Sequence, residues 1–159
     1  KTNKKIIIEP GRFLVANTGI LVTKVLYKKN IDNKNILIID AGMNDLMRPA
    51  LYDAKHSIKP LEKKIKEKKT TNYEVVGTIC ETADVMVKDA KLYKSVKKGD
   101  FYFIDKTGAY GHVMSSSYNS KSISSEIMIN KNNYTEIKKR IYPEDLLKFE
   151  KTAPWLEKK

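Results

Sequence analysis

Apolar residues fall along this chain in short runs, mostly at strand spacing rather than helix spacing. Ile6-Ile7-Ile8 is a continuous apolar triplet ending at Glu9-Pro10-Gly11, the pattern of a buried strand stopped by turn residues. Arg12 to Asn17 predicts a short helix, closed by Gly19 as a left-handed cap. Ile20 to Tyr27 is rich in β-branched and apolar residues and predicts a strand; Asn30 to Asn35 predicts a polar turn. Ile36-Leu37-Ile38-Ile39 is a second buried run, stopped at Asp40-Ala41-Gly42. Between Gly42 and Pro60 no period stands out, and only a short helix before Pro49 is expected. Asn44, Asp45, Arg48, Tyr52 and His56 give that loop more chemistry than a linker needs.

Lys59 to Asn72 reads as a mobile connection or exposed turn. Tyr73 to Ile79 predicts the next strand, with Gly77 marking a bulge or a close backbone approach. Cys80 to Asp84 follows at its end. Phe101-Tyr102-Phe103-Ile104 predicts a strand entered through the Gly99-Asp100 turn, and Gly108 to Met114 starts another segment after a tight turn. Glu126 to Ile129 and Tyr134 to Ile141 flank Asn130 to Asn133 as a hairpin. Pro143-Glu144-Asp145 opens a terminal helix, with proline and two acids in the first turn. Seven or eight strands with few helices predict a mainly β chain, a barrel or a sandwich. The first strand and helix read differently, as a βα unit without a partner in the sequence.

Composition narrows the function classes. With 159 residues the chain fits one domain, or one domain plus a fragment of another, and a hydrophobic share of 41% suffices for a core. No apolar run approaches the roughly 18 residues that span a membrane, so no membrane partner is expected. The basic start is followed only by Ile6-Ile7-Ile8 before an acid, which is not a signal-peptide pattern. The single cysteine excludes an internal disulfide and fits a reducing cytoplasm. Two distant histidines and one cysteine offer no metal cluster.

A net charge of +12 raises the question of nucleic acid. The lysines are scattered, however, and alternate with Asn, Ile and Tyr, as codon usage in an AT-rich genome favours. The densest run, Lys59 to Lys69, contains Glu62 and Glu67 and no aromatic residue on which bases could stack. It reads as a solvated face, with no nucleic-acid partner. Arg12, Arg48 and Arg140 are the only arginines among 31 basic residues. Arginine kept where lysine is otherwise chosen points to sites that need its planar fork for a carboxylate or phosphate.

Four segments carry candidate chemistry: Glu9-Pro10-Gly11-Arg12, Arg48-Pro49-Ala50-Leu51-Tyr52, Cys80-Glu81-Thr82-Ala83-Asp84 and Gly108-Ala109-Tyr110-Gly111. Each alone has an ordinary reading: turn punctuation, a surface arginine, a small buried cysteine, an aromatic staple on a turn. In this order and spacing they resemble the C-terminal portion of the diaminopimelate decarboxylases, members of the barrel-type pyridoxal-phosphate-dependent decarboxylase family. The resemblance runs from Ile6 to about Glu150. Gly19 to Val25, Asp40 to Leu46, Tyr52 to His56 and Ser115 to Asn119 support it. Lys121 to Ser125, His112 and Ser117 depart from the family pattern and put only local loop geometry in doubt.

The resemblance implies a β-barrel or sandwich domain over residues 20–159, preceded at 1–19 by the last strand and helix of a cofactor-binding (β/α)8 barrel. It implies pyridoxal 5′-phosphate as cofactor, meso-diaminopimelate as small-molecule substrate and a homodimer with shared active sites. The family's Schiff-base lysine lies upstream of anything in this sequence, so the chain alone is expected to be inactive. Cys80 matches the catalytic proton donor; an ordinary thiol carries its proton at neutral pH and can deliver it. Arg12 and Arg48 match residues that grip substrate, Glu81 the acid that takes the distal ammonium, and Tyr52 and Tyr110 supply phenolic hydroxyls. Gly11 and Arg12 match the cofactor-phosphate loop, with Glu9 and Pro10 in the same loop and Tyr110 beside the cofactor. Two other readings stay open: a free-standing barrel binding nucleic acid or protein through its lysines, and a related decarboxylase acting on carboxynorspermidine or ornithine. A plain diamine precursor such as ornithine has no distal carboxylate for Arg48.

Overall fold

The computed structural model describes residues 3–62 and 69–156. Strand β1 (Leu21–Ile31) turns through Asp32 and Asn33, both at positive φ, into the antiparallel strand β2 (Lys34–Ile39). Asp and Asn tolerate that left-handed turn, so the expected Asn30–Asn35 turn tightens to two residues. The chain then crosses over. Helix α2 (Arg48–Tyr52) and strand β3 (Ile58–Pro60) intervene before β4 (Thr70–Val76), which pairs with β2 in parallel. Strand β5 (Val85–Tyr93) returns antiparallel to β4, and β6 (Phe101–Ile104) fits between β1 and β3. The order is therefore β3-β6-β1-β2-β4-β5. The outermost strands, β3 and β5, approach each other, so the twisted sheet nearly closes on itself.

Alternation supplies the core. Val25, Leu37, Ile39, Val75, Tyr102 and Ile104 point inward and are fully buried or nearly so, with Leu46 from the crossover plugging one end. A second, two-stranded sheet is the hairpin of β7 (Glu126–Asn130) and β8 (Asn133–Lys138), as the turn residues predict. The terminal helix α3 (Pro143–Leu147) begins as expected, its Asp145 carboxylate accepting the Tyr142 N–H at 3.1 Å. The mainly β reading and the nearly closed sheet agree.

Several elements differ from expectation. Ile6–Ile8 forms no strand among the described residues and lies exposed, because three apolar residues cannot hold a ladder without flanking strands. The short helix does form, as α1 (Arg12–Val15) followed by a 3-10 turn at Ala16–Thr18. Gly19 is extended (φ −121°, ψ 144°), not a left-handed cap. Its reason is packing: a Cβ there would lie 2.7 Å from the backbone N and Cα of Gly108. Helix α2 starts at Arg48 and takes Pro49 into its first turn, where a missing N–H costs nothing. The expected connection Lys59–Asn72 contributes strand residues at both ends; positions 63–68 lie outside the described residues. Gly108–Met114 is a turn followed by a 3-10 turn at His112–Met114.

Candidate functional site

One group of residues forms where α1 meets the loop after β6. The Thr107 N–H donates to the Gly19 carbonyl at 3.0 Å and the Gly108 N–H to that of Ala16 at 3.1 Å, so the loop is clasped to the turn after α1. Arg12 Nε then donates to the Ala109 carbonyl at 3.1 Å. Gly11 caps α1, and a Cβ on it would lie 2.7 Å from the Tyr110 hydroxyl. Glycine is thus what lets the phenol come this close. Glu9, Pro10 and Gly11 are exposed, and Tyr110 is partly so. Arg12 spends Nε on the protein and keeps its two terminal nitrogens without a hydrogen bond among the described residues.

A second group sits on α2. Arg48 and Tyr52 are four residues apart and share one face, with the guanidinium carbon 5.5 Å from the ring centroid. Arg48 Nε is buried and has no hydrogen-bond acceptor among the described residues. The helix ends at Asp53, in the left-handed region, and the Ala54 N–H closes the turn on the Arg48 carbonyl at 3.3 Å.

The third group is the turn between β4 and β5, which presents Cys80 and Glu81 to solvent. Glu81 Oε1 accepts the Thr82 hydroxyl at 3.1 Å. Behind the turn lies Asp84, only 4% exposed, whose carboxylate accepts the Ile79 N–H at 2.8 Å and the Met43 N–H at 2.7 Å. Burial pushes the Asp84 carboxyl above its ordinary value, against the lowering effect of those two N–H donors. Asp45 is raised for the same reason, opposed mainly by the Gly42 N–H at 3.0 Å.

The second and third groups share one end of the sheet. Ser116 N–H donates to the Asn44 carbonyl at 2.9 Å, and Lys121 Nζ to the Thr78 hydroxyl at 2.9 Å. Between these loops opens a cleft of about 720 Å³ lined by Met43, Met47 and residues 116–120. Among the described residues no group of three His, Cys, Asp or Glu could hold a metal ion, and no helix is long and apolar enough to cross a membrane.

All the sequence-predicted residues fall into these three groups: Glu9, Pro10, Gly11, Arg12 and Tyr110; Arg48 and Tyr52; Cys80 and Glu81. Sequence reasoning assigns nothing to Asp84. Its signal was an acid among small turn residues, following a glycine that needed a reason. The open cleft is likewise missed, although Ser115 to Asn119 stands among the supporting stretches.

Residues 12–108 match the family described as pyridoxal-dependent decarboxylase, C-terminal sheet domain. The diaminopimelate decarboxylase of Zymomonas mobilis is 40% identical over 97% of this chain and 36% of the relative. That of Helicobacter pylori is 44% identical over 91% of this chain and 35% of the relative. Among solved structures, the Helicobacter pylori diaminopimelate decarboxylase complexed with L-lysine superposes with a TM-score of 0.79 at 43% identity, covering 88% of this chain and 34% of that one. The M. jannaschii enzyme in co-complex with L-lysine gives a TM-score of 0.86 at 36% identity, over 93% of this chain and 33% of that one. The chain spans about a third of the length of these relatives. With the family match covering most of its length, a nearly closed sheet and the motif groups in order, this chain belongs to the pyridoxal-dependent decarboxylases and carries their C-terminal sheet domain.

Proposed function

We propose that this chain is the C-terminal part of an enzyme that removes carbon dioxide from meso-2,6-diaminopimelate to give L-lysine. The observation that carries this reading is Arg48: a guanidinium stacked on Tyr52, with a buried Nε that has no acceptor among the described residues. Such a buried cation is costly, and a carboxylate from outside the domain offsets that cost by pairing with the terminal nitrogens of Arg48, which carry no hydrogen bond among the described residues. Diaminopimelate has such a carboxylate at its distal end. Its distal ammonium finds a counter-charge in Glu81. The L-lysine named in two related complexes is what diaminopimelate becomes on losing one carboxyl group.

Pyridoxal 5′-phosphate is the cofactor of this reading, and the residues present fit it. Gly11 is a position a Cβ would fill against the Tyr110 hydroxyl, the adjoining backbone is exposed, and the Arg12 terminal nitrogens are available to an anion. Glu9 and Pro10 complete that loop. When bound, the cofactor supplies the electron sink that allows an α-amino acid to lose its carboxylate. Arg48 and Glu81 orient the far end of the substrate, and Tyr52 and Tyr110 present hydroxyls to it. The Cys80 thiol holds a proton for the carbon that loses the carboxylate. Residues 1–19 belong in this reading to the end of the cofactor-binding barrel and 20–159 to the β-domain. The whole enzyme is a cytoplasmic homodimer in which Cys80 and Glu81 of one subunit complete the site of the other.

The test is carbon dioxide release by the full-length protein containing this chain, with pyridoxal 5′-phosphate and either meso-diaminopimelate or ornithine. Release from diaminopimelate at least a hundredfold faster is expected, at about 3 kcal/mol for a lost charge-assisted pair. Equal or faster turnover of ornithine overturns the substrate assignment. The isolated chain of 159 residues is expected to release none.

A further inference from the structure

One carboxylate stands where the Cys80–Glu81 turn meets the loop leading into α2. Asp84 is 4% exposed, and its two oxygens take N–H groups from different segments: Oδ2 from Ile79 at 2.8 Å, next to Cys80, and Oδ1 from Met43 at 2.7 Å, on the loop leading into α2. Its backbone is tied in as well. The Asp84 N–H donates to the Glu81 carbonyl at 3.1 Å, and the Gly77 N–H to the Asp84 carbonyl at 3.1 Å. Two glycines make room for the carboxylate. A Cβ on Gly77 would lie 2.7 Å from Asp84 Oδ1 and 2.6 Å from Gly42 Cα, and one on Gly42 would lie 3.1 Å from Asp84 Oδ1. Burying a charge is costly, and a purely apolar plug could fill this space without that cost. What such a plug could not do is accept two backbone donors at once and thereby hold the two loops in register.

We propose that Asp84 is a positioning residue that braces the Cys80–Glu81 turn on the loop leading into α2, so that Cys80 and Glu81 are held in one position where they enter the other subunit's site. This rests on the roles given above to Cys80 and Glu81. Asparagine cannot replace it: the amide has one acceptor oxygen, and its NH₂ group would face a backbone N–H.

The experiment uses the full-length holoenzyme and meso-diaminopimelate. Asp84→Asn is expected to raise KM about tenfold and lower kcat about threefold. In a Glu81→Gln background the further rise in KM is expected to stay under twofold, because the residue acts through the turn already disabled. If the two KM effects multiply instead, or Asp84→Asn alone stays within twofold of wild type, the positioning role is overturned. Should Asp84→Asn fail to fold, Gly42→Ala keeps the charge and presses on the carboxylate by a few tenths of an ångström. It is expected to raise KM about threefold, absorbed by Glu81→Gln in the same way; no rise, or a multiplied one, overturns the proposal. If Glu81→Gln and Arg48→Lys themselves leave KM unchanged, the site reading has failed, and that result is distinct from a failure of Asp84 alone.

Discussion

Arg12 and Arg48 are both arginines in a chain that otherwise prefers lysine, yet the protein anchors them differently. Arg12 fixes its Nε on the Ala109 carbonyl, whereas Arg48 keeps a buried Nε with no acceptor among the described residues and relies on the Tyr52 ring for support. Arg48→Lys in the full-length enzyme therefore loses the fork, the stacking and the Nε donor while keeping the charge. A fall in kcat/KM of roughly ten- to a hundredfold is expected, corresponding to about 1.5–3 kcal/mol. Steady-state kinetics showing a change within twofold would overturn the assignment. Cys80→Ala is expected to behave differently, lowering kcat while leaving KM largely unchanged, since a proton donor contributes at the transition state. These residues were legible in the sequence because each lies in a short local motif. Asp84 was not: the donors that define it come from residues five and 41 positions away, and only the folded loops bring them to one carboxylate.

At the level of elements, the pattern succeeded where a strand is an unbroken apolar run bounded by turn residues and failed where the ladder is irregular. β2 and β6 each carry four consecutive apolar or aromatic residues and were legible as such, although the fold fully buries only every second one. β5 was not expected at all. Its register against β4 shifts on either side of Val75, so Met86, Ala90 and Leu92 turn inward with a break in the alternation at Lys88-Asp89. β3 is too short for any period, and it holds its place through the neighbouring turn. The Asp105 carboxylate accepts the Ser57 hydroxyl at 2.7 Å, the Ser57 N–H at 3.2 Å and Lys59 Nζ at 3.0 Å, tying β3 to the end of β6. Burial pushes Asp105 up, but the Ser57 hydroxyl, Lys59 and the Ser57 N–H outweigh it, so the carboxyl titrates below its ordinary 3.8. A depressed folded pKa contributes stability that is present above the unfolded value and is lost as pH falls through the folded one. Asp105→Asn should accordingly cost about 1 kcal/mol near neutral pH, and the gap to wild type should close in acid. Urea denaturation of both proteins across that range checks this; a gap that widens as the pH falls would contradict it.

For the whole molecule the telling quantity is surface. A folded monomer of 18.2 kDa exposes about 8,100 Å² by the usual scaling, whereas this chain exposes 12464 Å². The excess, on the order of 4,000 Å², is of the size that permanent interfaces bury. Much of it is apolar: Ile7 is 76% exposed, Phe13 90%, Ile129 72%, Tyr134 80% and Trp155 83%. Ile7 and Phe13 flank the start of α1, Ile129 and Tyr134 face each other across the β7–β8 hairpin, and a two-stranded hairpin is marginal unless it packs on something. Left by itself in water, the chain should therefore self-associate through these faces. The net charge of +12 opposes association at low ionic strength, because like charges repel over about 10 Å at 0.1 M salt and over longer distances below that. Two opposite salt dependences follow. Apolar self-association should grow as salt screens the repulsion, whereas binding of nucleic acid through the lysines would weaken steeply with salt. Multi-angle light scattering of the isolated chain is expected to give a weight-average mass that rises well above 18.2 kDa between roughly 0.05 and 0.5 M salt. A single 18.2 kDa species at every salt concentration would mean that these apolar faces are not sticky in solution. A mass that falls as salt is added would point instead to the lysine-rich surface holding an anionic partner.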